Sequence, residues 1–262
     1  MHIDTANELN RKFAPGITIP FVVAFVSLRH IFHELHEFAH MAAGRLLCGM
    51  WGSRDFNNVA AIAPQCVKTG TIDLMVGIAG PLFNYCAIWA GALLIRAAST
   101  STGRAWGLTL IFASLPFARL FTAVIGGGDE LGIARTYFAD PLMARMATIS
   151  AVVAILAYPL YAAFRLLAGM KHGVLYFLGL LTLPMLLEGA VVLHFCNYLL
   201  KLGLGSESWL MGSPVLVSIL LALALIVFAL SAGNIAHLLG KDLPMVGAGE
   251  LLIGNRSRIR TQ

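Results

Sequence analysis

Residues 17–43 read ITIPFVVAFVSLRHIFHELHEFAHMAA, an apolar run long enough to cross a bilayer that nevertheless carries four histidines, two glutamates and an arginine between positions 29 and 40. In a helix, offsets of three, four and seven share a face. His33, His36, Glu37 and His40 therefore line one stripe, with Arg29 a turn earlier. Within that stripe, His36-Glu37-Phe38-Ala39-His40 has the HExxH pattern. Two histidines one turn apart can grip one zinc ion, and the glutamate between them then faces a metal-bound water as general base. Zinc lowers the pKa of such a water to about 7, so that a carboxylate can generate hydroxide for attack on a carbonyl. Chance supplies the pattern in on the order of one such chain in a hundred. Six ionisable groups in an apolar helix are also costly to desolvate without partners or a metal. His33 reads as a supporting polar contact, not a ligand.

The rest of the chain suits the same setting. Of 262 residues, 58% are hydrophobic and 12% charged, with mean hydropathy +0.81; a soluble domain carries about twice that charged fraction. The net charge of +5 is scattered, which excludes a nucleic-acid partner. The exception is the tail Arg256, Arg258 and Arg260, which reads as a juxtamembrane anchor. Cys48, Cys66, Cys86 and Cys196 form no CxxC pair and are expected to be small buried apolar residues, with no disulfide framework and no cysteine metal site. The first fifteen or so residues are polar and show no cleavage pattern, so the first span is expected to be uncleaved.

Six segments approach the ~20 apolar residues a spanning helix needs: 17–43, 72–98, 105–126, 143–168, 173–200 and 213–239. The expected fold is an all-α polytopic membrane protein. A polar segment 1–16 precedes a three-span core 17–142, three additional helices 143–240 and a basic tail 241–262. The longer connections are 44–71, with Trp51, Gly52, Asn57, Asn58 and Pro64, and 127–142, which follows Gly126. Arg11, Lys12, Arg96, Arg104, Arg165, Lys171, Lys241 and the tail arginines fall on the side of the N-terminus. Arg45, Arg54, Lys68, Arg135, Arg145 and Lys201 fall on the side of the 44–71 loop. That bias favours the N-terminal side as cytoplasmic, without fixing the orientation.

A catalytic zinc has three protein ligands plus water, so HExxH needs a partner. His2, His172, His194 and His237 stand singly. At 1.5 Å per residue, the histidines and Asp129 lie at a common depth of about 29–36 Å along spans one and three. Gly80-Pro81-Leu82-Phe83-Asn84 enters that layer from the other side. Asp129 is the expected third ligand, Glu130 the competing carboxylate, and Asn84 a substrate-backbone contact. Arg29, Arg119 and Glu188 sit near mid-span, and Glu188 is expected to neutralise one or both arginines, tying spans one, three and five. His194 is expected as a helix–helix hydrogen-bonder or a contact to the active-site layer.

Together these residues resemble the site-2 protease family of intramembrane zinc metallopeptidases. The likeness rests on His36-Glu37-Phe38-Ala39-His40 running into Met41-Ala42-Ala43-Gly44-Arg45-Leu46-Leu47, on Ala79-Gly80-Pro81-Leu82-Phe83-Asn84, and on an aspartate late in the third core span. It covers roughly residues 17–140. The resemblance implies one Zn2+ held by His36, His40 and Asp129, Glu37 activating water, and Asn84 holding an extended substrate strand. It also implies a three-helix metallopeptidase core and cleavage of transmembrane segments of other proteins. Two positions depart from the family: Ala39 stands where glycine is common, and Asp129-Glu130 replaces an Asp-Gly pair. The family places its metal toward the cytosol, opposite to the charge bias. The expected protein is a multi-pass zinc metalloendopeptidase of a bacterial inner membrane, with a transmembrane protein substrate and the lipid bilayer as partners. One alternative is a non-proteolytic zinc-binding chaperone or transporter component of the same architecture. A di-iron membrane oxygenase would need several histidine clusters.

Overall fold

The computed structural model describes residues 14–57, 59–67 and 69–240. The N-terminal segment to residue 13, Asn58, Lys68 and the tail 241–262 with its arginines lie outside the described residues.

Helix α1 runs over Ile19–Cys48; Thr18 caps it by accepting from the Phe21 amide at 3.3 Å, and Gly49 ends it in the left-handed region. After a two-strand hairpin (β1 Ser53–Arg54, β2 Val59–Ala60) come α2 Gly70–Ala97, α3 Ser101–Ala113 and α4 Pro116–Ile125. A short α5 Asp129–Tyr137 precedes the long α6 Pro141–Ala168. The chain then rises through α7 Gly173–Leu187, a π-helical stretch Glu188–Cys196 and α8 Asn197–Lys201, and returns through α9 Val215–Ser231.

Five helical stretches are long and apolar enough to cross a membrane: 70–97, 101–125, 141–168, 173–201 and 215–237. Their bounds follow the expected spans two to six. The third is broken, because Pro116 cannot donate to the preceding turn and Leu115 takes a left-handed φ of 49°. Span one is α1. Its 30 residues would reach about 45 Å, but its charges set it apart from the other five. Arg29, His33, Glu34, His36, Glu37 and His40 are all at most 9% exposed. Protein, not lipid, surrounds them. α1 packs against α2 and α9, and its N-terminal half joins the main apolar core of Phe21, Leu28, Leu108, Phe112 and Leu167.

The loop after α1 is fastened to the bundle. Cys48 and Cys66 form a disulfide with Cα atoms 5.5 Å apart, which overturns the expectation of four unpaired cysteines. The hairpin folds the loop back so that Cys66 returns to the end of α1, a return that an 18-residue spacing does not announce. Cys86 and Cys196 are free, and only Cys196 is buried. Phe56, fully buried, plugs the gap between Val192 and Val217. Arg54 donates to Glu34 at 2.5 Å and to Ser213 Oγ at 2.8 Å.

Glu188 pairs with Arg29 at 3.1 Å and also meets His33 Nδ1 at 3.1 Å. It therefore ties spans one and five but not span three. Arg119 has closer acids of its own, Asp129 at 3.0 Å and Glu130 at 3.5 Å. His194 is exposed, on the opposite side of its helix from the buried Val192 and Cys196.

Candidate metal centre

Two helices deliver the donor atoms. α1 presents His36 and His40 one turn apart, with Nε2 atoms 3.3 Å from each other. α4 ends where Gly126 turns left-handed (φ 88°), a conformation that favours glycine. The chain reverses, and Asp129 opens α5 as its first residue. The aspartate is thus not late in the third span, as the resemblance implied, but on the first turn of the next helix. It still reaches the expected layer. Its Oδ2 lies 3.3 Å from His36 Nε2 and 3.8 Å from His40 Nε2.

Those three edges permit a fit test. Bonds of 2.0–2.2 Å at tetrahedral angles separate neighbouring ligand atoms by about 3.3–3.6 Å. Edges of 3.3, 3.3 and 3.8 Å match one face of such a tetrahedron, and the three residues fit a single metal ion. Asp129 is the accessible corner of the three: its side chain keeps 35% of its surface, whereas those of His36 and His40 keep 5% and 7%. Three protein ligands would leave the fourth position of a tetrahedral ion to water or substrate, as in catalytic sites.

Outer contacts orient the ligands. His40 donates through Nδ1 to the Val76 carbonyl at 2.6 Å, which leaves Nε2 with its lone pair toward the centre. Arg119 donates to Asp129 Oδ2. Burial pushes the Asp129 carboxyl up, but the close approach of the His36 and His40 rings and the charge of Arg119 outweigh this and hold it well below the usual carboxylate range. The aspartate is an anion ready to ligate. Glu130, the competing carboxylate, is engaged elsewhere: Tyr85 donates to it at 2.7 Å and Arg119 at 3.5 Å.

Gly80 explains the approach of α2. A Cβ there would collide with His40 Nε2 and lie 2.7 Å from His36 Cε1. One turn on, Asn84 is buried with Oδ1 lacking any hydrogen-bond partner among the described residues. Glu37, the residue after His36 on α1, is 8% exposed and makes no hydrogen bond or ion pair among the described residues. His33 is turned away, donating through Nε2 to the Phe56 carbonyl at 2.5 Å.

No protein-family model, curated protein or solved structure matches this chain. The likeness to site-2 proteases therefore rests on the motifs quoted above.

The three donors that the sequence suggests do lie together and could hold a metal ion, but their supports are not visible in the sequence. Arg119 was assigned to Glu188, and neither Tyr85 nor the Val76 carbonyl was singled out. The carbonyl carries no side-chain signal. Tyr85 carries a weak one, as a hydroxyl in an apolar span that must find a partner.

Proposed function

We propose that this chain is an intramembrane zinc endopeptidase that hydrolyses peptide bonds in or near transmembrane segments of partner proteins. The observation that carries the reading is the three-ligand face of His36, His40 and Asp129 with the unpaired Glu37 carboxylate beside it. His36, His40 and Asp129 would hold the zinc ion, which would supply Lewis-acid polarisation and lower the pKa of a bound water toward neutrality. Glu37 is the group placed to accept a proton from that water and to deliver one to the leaving amine. Asn84, with its free Oδ1, accepts a backbone N–H of an extended substrate segment. Arg119 keeps Asp129 in place.

One feature favours the metal-binding, non-proteolytic reading: Asp129-Glu130 stands where the family has Asp-Gly, and Arg119 is paired with both carboxylates there. Reconstituted protein separates the two. Purified chain is expected to carry about one zinc; Asp129→Ala should lose most of it and Glu130→Ala should keep it. Wild type should cut members of a panel of quenched membrane-spanning peptides, stop on chelation and resume on zinc addition. Stoichiometric zinc with no cleavage of any peptide would leave the non-proteolytic reading standing. Full zinc in Asp129→Ala with loss in Glu130→Ala would reverse the ligand assignment.

The disulfide supports a side. Disulfides persist in oxidising compartments, which supports a 44–71 loop facing away from the cytoplasm, in the sense that the positive charge of the opposite face also favours. His40 lies eight residues, about 12 Å, from the Cys48 end of α1, so the metal centre lies toward that outer side. This departs from the family's orientation. In a Cys86→Ser, Cys196→Ser background, reduction followed by a membrane-impermeant maleimide should label intact cells at Cys48 and Cys66. Labelling only after lysis would invert the topology.

A further inference from the structure

Away from the metal centre, α1, the π-helical stretch and α9 enclose a cavity of about 300 Å³. Most of its wall is aliphatic, including Val191, Leu223, Ala224 and Val227. Its floor is not. Arg29 and Glu188, whose side chains are 8% and 7% exposed, pair there, and His30 stands beside them. Glu188 Oε1 lies 3.1 Å from one Nη of Arg29 as an ion pair, but Glu188 Oε1, Arg29 Nε and both ring nitrogens of His30 are buried and have no hydrogen-bond partner among the described residues. Unsatisfied polar atoms in an apolar medium are costly, so the cavity is built around a missing partner.

The position of the floor narrows the partner. Arg29 and His30 sit in the middle third of α1, and Leu220 to Val227 in the middle of α9. Lipid headgroups lie at the membrane surfaces, about 15 Å from the midplane. The flanking helices are also the least covered of the spans, with 17% of the 173–201 window and 11% of the 215–237 window buried. The volume equals that of about ten water molecules at 30 Å³ each, which suits one or two side chains. Arg29 Nε donates, Glu188 Oε1 accepts and the His30 ring adds two nitrogens, a set that calls for a group that both accepts and donates.

We propose that this cavity is a docking site for a transmembrane helix of a partner protein, which inserts one mid-span polar side chain, a carboxamide or hydroxyl, between the π-helical stretch and α9. Polar side chains join helices in this way within bilayers. The inference does not depend on the endopeptidase reading, because the docked helix can be a substrate or a lasting partner.

The test uses the full chain in lipid vesicles with a donor dye, and two acceptor-labelled 20-residue leucine helices, one with a central asparagine and one all leucine. Energy transfer should report about three- to tenfold tighter association of the asparagine helix. That preference should vanish in His30→Leu and in Ala224→Phe, which fills the cavity. Val191→Trp at the mouth serves if Ala224→Phe fails to purify as a monodisperse protein. Equal association of the two helices with wild type would overturn the proposal and assign the cavity to water or acyl chains. A preference that survives the substitutions would overturn it as well, by placing the contact elsewhere.

Discussion

Glu37→Gln is expected to lower peptide hydrolysis by about two to four orders of magnitude while zinc content stays near that of wild type. Glutamine has the same shape and also prefers a helix, so α1 and the spacing of His36 and His40 should be untouched. Glu37 makes no hydrogen bond or ion pair among the described residues, and its removal therefore breaks no structural contact. What is lost is the one function a carboxamide cannot perform, the acceptance of a proton. Cleavage of quenched membrane-spanning peptides, read beside metal analysis of the same samples, checks both halves. A Glu37→Gln protein that cuts at the wild-type rate would end the endopeptidase reading, whatever its zinc content.

Gly80→Ala should do the opposite, removing the metal while leaving every acid and base in the sequence. The added methyl group would occupy the space of the His40 imidazole and press on His36 Cε1. Neither ring can yield cheaply. His40 is fixed by its bond to the Val76 carbonyl on the same helix that carries the methyl, and His36 is 4% exposed. The expected outcome is zinc content near zero with a helical content like that of wild type. The nearby Gly77→Ala serves as control, because its Cβ would meet only Ile133 Cγ1 and Cδ1, at 3.4 and 3.9 Å. Zinc retained in full by Gly80→Ala would mean that α2 does not abut the histidine pair.

Much of this was legible in the sequence because hydrophobic length and histidine spacing are local signals. Runs of apolar residues set five of the spans, and the offset of four between His36 and His40 set the two nitrogens. Asp129 was found by depth, an argument that tolerated the break at Leu115 because the break changed direction more than height. The missed features are long-range. Nothing near Arg119 says that Asp129, ten residues on and past a glycine turn, is closer than Glu188. Nothing near Cys48 says that the hairpin returns Cys66. Phe56 and Arg54 lie in a loop between spans, yet both are drawn into the bundle by Glu34 on α1, Asn197 on α8 and Ser213 just before α9. Pairings of that kind belong to the packed chain and not to any window of it.

The π-helical stretch has a consequence for angular phase. From Glu188 to Asn197 is nine steps, which in an α-helix amounts to two and a half turns and puts the two side chains on opposite faces. Hydrogen bonding to the fifth residue widens the turn to roughly 4.4 residues, so nine steps close about two turns and the faces coincide. Glu188 meets Arg29, and Asn197 accepts from the Phe56 amide at 3.1 Å. The stretch works as a phase shifter. It lets one lipid-exposed helix read both the centre of α1 and the loop that closes over it, and losing a single residue between 188 and 197 would unhook one reading from the other.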